Sequence, residues 1–221
     1  MNWSEIAPEG TAAWCNEWRK RYREQGFEEH QRDTDDILRA HPKQSGFDFG
    51  AILVAISQID PGPIRVLEFG GWRGEMAAGV LDLHSHELLR ARIDSWLNCE
   101  ISSLAKEDVD CHDPRYYVHV PDSFLWETEK MKGPTFFVSS HSIEHLTKEH
   151  LGKLFDWLPS TIQHIWLQAP LPDDEENNKW ENYGGTHILE CGWKQVIEML
   201  PDFELVYRGG IRNECLFFKR K

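Results

Sequence analysis

His141, Glu144 and His145 spell H-x-x-E-H inside FFVSSHSIEHL, residues 136–146. On an α-helix that spacing puts two imidazoles and a carboxylate on one face, the zinc-binding pattern of one group of peptidases. Here the apolar run TFFVSS leads straight into the motif. The three residues therefore belong to a turn leaving a buried strand, and the peptidase reading lacks its helix. At such a turn an imidazole offers another chemistry, proton transfer, for which its ordinary titration range suits it.

A second constellation lies upstream. Glu68-Phe-Gly70-Gly71-Trp-Arg-Gly74 joins the apolar run IRVLEF to a helix-forming stretch. Glycines at a strand-to-helix turn let the backbone bend sharply and approach a ligand, while the helix N-terminus presents free N–H groups. The acid before the glycines would repel a pyrophosphate and suits a ligand with a cationic centre or free amine. Glu100, after IDSWLNC, stands where a carboxylate can accept both hydroxyls of a ribose. Asp122, after RYYVHV, stands where a polar side chain can meet a base edge. Three acids at the carboxyl ends of successive strands converge on the crevice where open α/β sheets bind ligands.

These placements depend on the order of elements. TAAWCNEWRKRYREQGF reads as a helix with Trp14, Trp18 and Tyr22 on one face, and FDFGAILVAISQI reads as another, broken by PGP at 61–63. IRVLEFGG, IDSWLNCEIS, RYYVHV, PTFFVSS and IQHIWLQAP read as strands, with GEMAAGVLDLHSHELLRA and TKEHLGKLFDWL as helices between them. Strands alternating with helices predict a doubly wound α/β fold, a mostly parallel sheet covered on both faces. After the helix GWKQVIEML, two apolar runs meet at Gly209-Gly210 with no room for a crossover, so the sheet ends in an antiparallel hairpin. Residues 1–45 form a helical cap segment and residues 46–221 the main domain.

The chain of 221 residues carries a formal charge of −13, which disfavours a nucleic-acid partner, because such affinity rests on Lys and Arg neutralising phosphates. The basic run WRKRYR reads as a solvated helix face. Five cysteines, never spaced C-x-x-C, predict reduced thiols rather than a disulfide framework or zinc knuckle. The longest apolar run, AILVAI, is far short of a membrane span, and the acidic N-terminus has no export pattern. A cytoplasmic protein follows as the expectation.

VLEFGGWRGEMA, WLNCEIS, HVPDSF, FFVSSHSIEHL and the closing hairpin together resemble the ordered motifs of class I S-adenosylmethionine-dependent methyltransferases, over residues 46–221. The resemblance implies a Rossmann-like, seven-stranded sheet with an antiparallel final strand. It places Gly70, Gly71 and Gly74 along the methionine part of the cofactor with Glu68 near it, Glu100 on the ribose, and Asp122 with Ser123 near adenine. Ser140 and His141 would face the sulfonium. The chain departs from the family pattern at Trp72, where a glycine is usual. The activity implied is methyl transfer to a small-molecule acceptor, with the hydroxyl of a sugar or natural product ahead of a nitrogen. The alternatives are a non-catalytic binding subunit of the same fold and an RNA ribose methyltransferase.

Two readings of the histidine motif stand beside this resemblance. In one it shapes the turn and supplies a base, His141 or His145. In the other it resembles the E-x-x-E-H of small-RNA 3′-terminal ribose methyltransferases and ubiquinone-pathway O-methyltransferases, which holds a divalent metal, with His141 in place of the first Glu. His187 would then join His141, Glu144 and His145, and three imidazoles with one carboxylate favour Mn, Fe, Co or Zn over Mg. The acceptor side is expected in the long polar loop at 171–190, with Trp180, Tyr183 and His187 as its wall. The sequence leaves the oligomeric state open.

Overall fold

A computed structural model gives the fold, and it describes residues 20, 24, 26–40, 48–82, 87–107, 109–120, 133–173, 189, 191–210 and 214–221. Trp14, Trp18 and Tyr22 of the expected first helix lie outside the described residues. Lys20 and Glu24, within that stretch, are helical, and the first complete element among the described residues is α1 (Phe27–Ala40), followed by α2 (Phe49–Gln58). Helix α2 begins where Asp48 caps it, its carboxylate accepting from the Ala51 N–H at 2.9 Å.

Strand β1 (Ile64–Phe69) leads into α3 (Glu75–Leu81), α4 (Glu87–Arg90) and β2 (Ile93–Cys99). Within the stretch read as helix-forming, 74–91, both α3 and α4 are helical, and residues 83–86 lie outside the described residues. Strands β3 (Tyr116–His119) and β4 (Phe136–Ser140) come next, then α5 (Lys148–Trp157) and β5 (His164–Gln168). Helix α6 (Trp193–Glu198) precedes the hairpin β6 (Phe203–Gly209) and β7 (Cys215–Arg220).

The sheet has seven strands in the order β3-β2-β1-β4-β5-β7-β6. Pairings from β3 through β5 are parallel, and β7 runs antiparallel to both β5 and β6. The doubly wound sheet and its antiparallel end are those expected from the alternation and the closing hairpin, and the seven strands are those the resemblance implies. The strand order reverses between β1 and β4, so a crevice opens at their carboxyl ends.

Alternation along the strands divides the core in two. Leu67, Phe69, Leu97 and Phe137 face α5 and α6, packing with Leu151, Phe155 and Trp193. Val66, Trp96, Phe136, Trp166 and Phe217 face α2 and α3, packing with Ile52, Ile56 and Met76. Both layers are largely apolar, which is why the central strands read as near-continuous hydrophobic runs. Glu68, like Asn98, is a buried polar exception: it points into the α2–α3 layer, beside Trp96. No helix among the described residues is long and apolar enough to cross a membrane.

Candidate functional site

The glycine loop leaves β1 in left-handed backbone, with φ of 68° at Gly70, 52° at Trp72 and 87° at Gly74. At Trp72 this conformation strains an ordinary side chain by about 1 kcal/mol. Two side chains of neighbouring strands hold the loop there. The Asn98 amide of β2 accepts the Gly71 N–H at 2.9 Å and donates to the Trp72 carbonyl at 2.9 Å. It also donates to the Tyr116 hydroxyl of β3 at 2.9 Å. That hydroxyl lies where a Cβ on Gly74 would be, 2.4 Å away. The Trp72 indole is buried, with the Arg73 guanidinium 5.2 Å from the ring centre.

Glu68 sits beneath the loop. Its Oε2 accepts from the Trp96 indole N–H at 2.6 Å, while Oε1 is buried without a hydrogen-bond partner among the described residues. A Cβ on Gly71 would come 2.2 Å from the Glu68 carboxyl carbon, so the loop can cross the acid only with glycine at that point. Burial pushes the Glu68 carboxyl up to about 8, with the Glu100 charge adding to the rise and the Trp96 hydrogen bond opposing it.

Glu100 follows β2 directly. Its Oε2 accepts from the Trp72 N–H at 2.9 Å and its Oε1 from the Ser102 N–H at 3.0 Å. Burial raises its carboxyl, opposed by those backbone bonds. A carboxylate has about four acceptor positions, and those the backbone N–H groups leave are what vicinal hydroxyls would use.

Across the crevice, the H-x-x-E-H stretch is a turn, as its sequence context predicts: Ile143–His145 form one 3₁₀ turn between β4 and α5. Ser142 Oγ donates to the Gly70 carbonyl at 2.7 Å, tying this turn to the glycine loop. His141 has a φ of 51° and its N–H donates to the Gln168 carbonyl at 2.8 Å. Gln168, at the end of β5, accepts through Oε1 from the Asp48 N–H at 3.1 Å and from Ser140 Oγ at 3.2 Å. A backbone N–H can only donate, so the amide orientation is fixed and Nε2 faces His141 Nε2 at 3.1 Å as the donor. The His141 proton then resides on Nδ1, which faces Glu144 Oε1 at 3.4 Å.

Glu144 is buried, and its carbonyl accepts from the Leu189 N–H at 3.0 Å, bringing the end of the long polar loop to the turn. From the other side α1 brings His30 toward His145 and His150; burial, with those two imidazoles, depresses His30 to about 4. Among the described residues no three His, Cys, Asp or Glu side chains are grouped to hold a metal.

The structure thus gathers Glu68, Gly70, Gly71, Gly74, Glu100, Ser140, His141 and Glu144 around one crevice. Asp122, Ser123, Trp180, Tyr183 and His187 lie outside the described residues. Asn98, Tyr116 and Gln168 were not anticipated. A buried amide within an apolar strand, as in WLNC and IWLQ, was the signal available for two of them.

No protein-family profile matches the chain, and neither does any curated protein. Solved structures do match by fold. The methyltransferase domain of bacterial CtHen1-CN shares 13% identity at a TM-score of 0.53, over 77% of this chain and 96% of that one. The small RNA methyltransferase HEN1 shares 11% at 0.55, over 81% of this chain and 26% of that one. An O-methyltransferase family protein from Burkholderia thailandensis shares 11% at 0.52, over 77% and 55%.

Proposed function

We propose that this protein is an S-adenosylmethionine-dependent methyltransferase acting in the cytoplasm on a hydroxyl of a small molecule such as a sugar or natural product. The observation that carries the reading is the pairing of Glu100 with the glycine loop. A carboxylate locked by the Trp72 and Ser102 N–H groups at the end of β2 offers two acceptors to a ribose, beside a loop held open over Glu68. The fold shared with the three methyltransferases above supports the methyl-transfer part of this reading.

S-adenosylmethionine, when bound, supplies a methyl group already activated on sulfur for in-line displacement, so the protein's task is positioning and removal of one proton. In the displacement the methyl–sulfur bond breaks as the methyl–oxygen bond forms. The acceptor's proton goes to His141 or His145, the imidazoles on the β4 side. His141 accepts it through Nε2 once its contact with Gln168 opens, since Nδ1 already carries a proton toward Glu144. In this reading Ser140 and the glycine loop border the donor, while the resemblance assigns Asp122 and Ser123 to adenine, and Trp180, Tyr183 and His187 are assigned to the acceptor, all five lying outside the described residues. Of the four residues the motif would give a metal, His141 and Glu144 lie 3.4 Å apart, His187 lies outside the described residues, and no step is routed through an ion.

Calorimetric titration with S-adenosylhomocysteine tests the reading. Micromolar binding is expected, and Glu100→Ala should weaken it by about tenfold or more through loss of a charged acceptor. No binding at millimolar ligand would end the proposal. Likeness to the small RNA methyltransferase HEN1 favours RNA ribose methylation as the second reading, against which stands the net charge of −13. An acceptor whose affinity falls steeply with salt would favour RNA. Cofactor binding without transfer to any acceptor pool would favour a non-catalytic subunit.

A further inference from the structure

We propose that Asp35 of α1 is a positioning residue for the donor's ribose, acting through Ser102 on Glu100, so that the N-terminal helix is part of the cofactor site. The inference rests on the methyltransferase reading and adds to it a residue from outside the sheet. Asp35 is buried, and a buried carboxylate persists only where donors surround it. Here three do: Ser102 Oγ at 2.6 Å, the Ser103 N–H at 3.1 Å and Ser103 Oγ at 2.7 Å. Gln31, one turn earlier on the same helix face, donates to the Ile101 carbonyl at 2.8 Å.

Together Gln31 and Asp35 grip 101–103, the residues immediately after Glu100. Ser102 then uses its own N–H to hold Glu100 Oε1 at 3.0 Å, while Trp72 holds Oε2 from the opposite side at 2.9 Å. The ribose acid is therefore clamped between the glycine loop and a segment whose place is set by α1. Freeing that segment would let Glu100 turn out of register with the two hydroxyls while leaving the adenine and methionine contacts in place. Docking of α1 and binding of the ribose then reinforce each other.

Calorimetry on the full chain separates this role from simple loss of structure by using two probes, S-adenosylhomocysteine and its 2′-deoxyribose analogue. Asp35→Ala should weaken the first by about tenfold and the second by less than about twofold, because only the first uses the full ribose. Asp35→Asn should restore most of the affinity, since Ser103 Oγ can turn from donor to acceptor toward the new amide. Equal weakening of both probes, or of neither, overturns the proposal. Should Asp35→Ala fail to fold, amide exchange across 27–40 in the wild-type chain decides: slower exchange with S-adenosylhomocysteine is expected, and unchanged exchange refutes the coupling. Absence of S-adenosylhomocysteine binding by the wild-type chain would instead remove the underlying functional reading.

Discussion

The β1–β2 half of the crevice is pinned by two buried side chains, Asn98 and Glu100, each bonded to the glycine loop, whereas in the β4–β5 half a single amide, Gln168, reaches the Nε2 of His141. Asn98 and Glu100 between them take the N–H groups of Gly71, Trp72 and Ser102 and the carbonyl of Trp72. On the other side, Gln168 links Asp48, Ser140 and His141 through its amide. Asn98 and Glu100 must both let go before the glycine loop moves, whereas Gln168 alone can release the His141 Nε2 by a turn about its χ angles. Under the proposed function the first half would stay fixed against the donor and the second would yield to the acceptor.

The largest effect that tests this contrast is expected at Asn98. Asn98→Leu strands the Gly71 N–H and Trp72 carbonyl in a buried site and should destabilise the fold by about 4 kcal/mol in denaturant unfolding. A loss under about 1 kcal/mol would mean that the loop is held by something else.

Next comes pH. The Glu68 carboxyl is raised to about 8 in the folded protein against 4.5 ordinarily, so the native state binds a proton that the unfolded chain has released. Stability is therefore fullest below the unfolded value and falls as pH rises through that window, by on the order of 3 kcal/mol. Glu68→Gln should flatten the decline in unfolding measured from pH 5 to 8. Parallel slopes for the two proteins would assign the proton elsewhere.

Gly71→Ala forces a Cβ against the Glu68 carboxyl and should cost about 2 kcal/mol, with cofactor affinity falling in step. The smallest change in stability, about 1 kcal/mol, is expected for Gln168→Ala. That variant should lower turnover severalfold while leaving S-adenosylhomocysteine affinity nearly intact. A Gln168→Ala protein that loses cofactor affinity instead would erase the distinction between the halves.

What could be read in the sequence follows the same division. IRVLEF and FFVSS announce buried strands because both faces are covered, and Glu100 is legible because it ends such a run. The H-x-x-E-H turn is legible from the strand before it. Helix α1 falls within the expected helical cap, but its docking was not legible, since Gln31 and Asp35 hold it through polar contacts that no apolar pattern marks. The roles of Asn98, Tyr116 and Gln168 depend on which strands become neighbours, and β1 lies between β2 and β4 only in the folded sheet. A buried amide can be noticed in a sequence, but its partner sits 27 residues away for Asn98 and Gly71, and 120 away for Gln168 and Asp48.

Strand β7 is last among the strands in the chain yet interior in the sheet, inserted between β5 and β6. During synthesis and refolding, β5, whose five residues are all buried in the finished protein, must wait as a bare edge until β7 arrives. Such an edge is a template for pairing with other chains. Aggregation during expression is therefore expected to depend on how quickly the terminal hairpin closes, and substitutions that slow the turn after Gly209 should reduce soluble yield before they alter the folded protein.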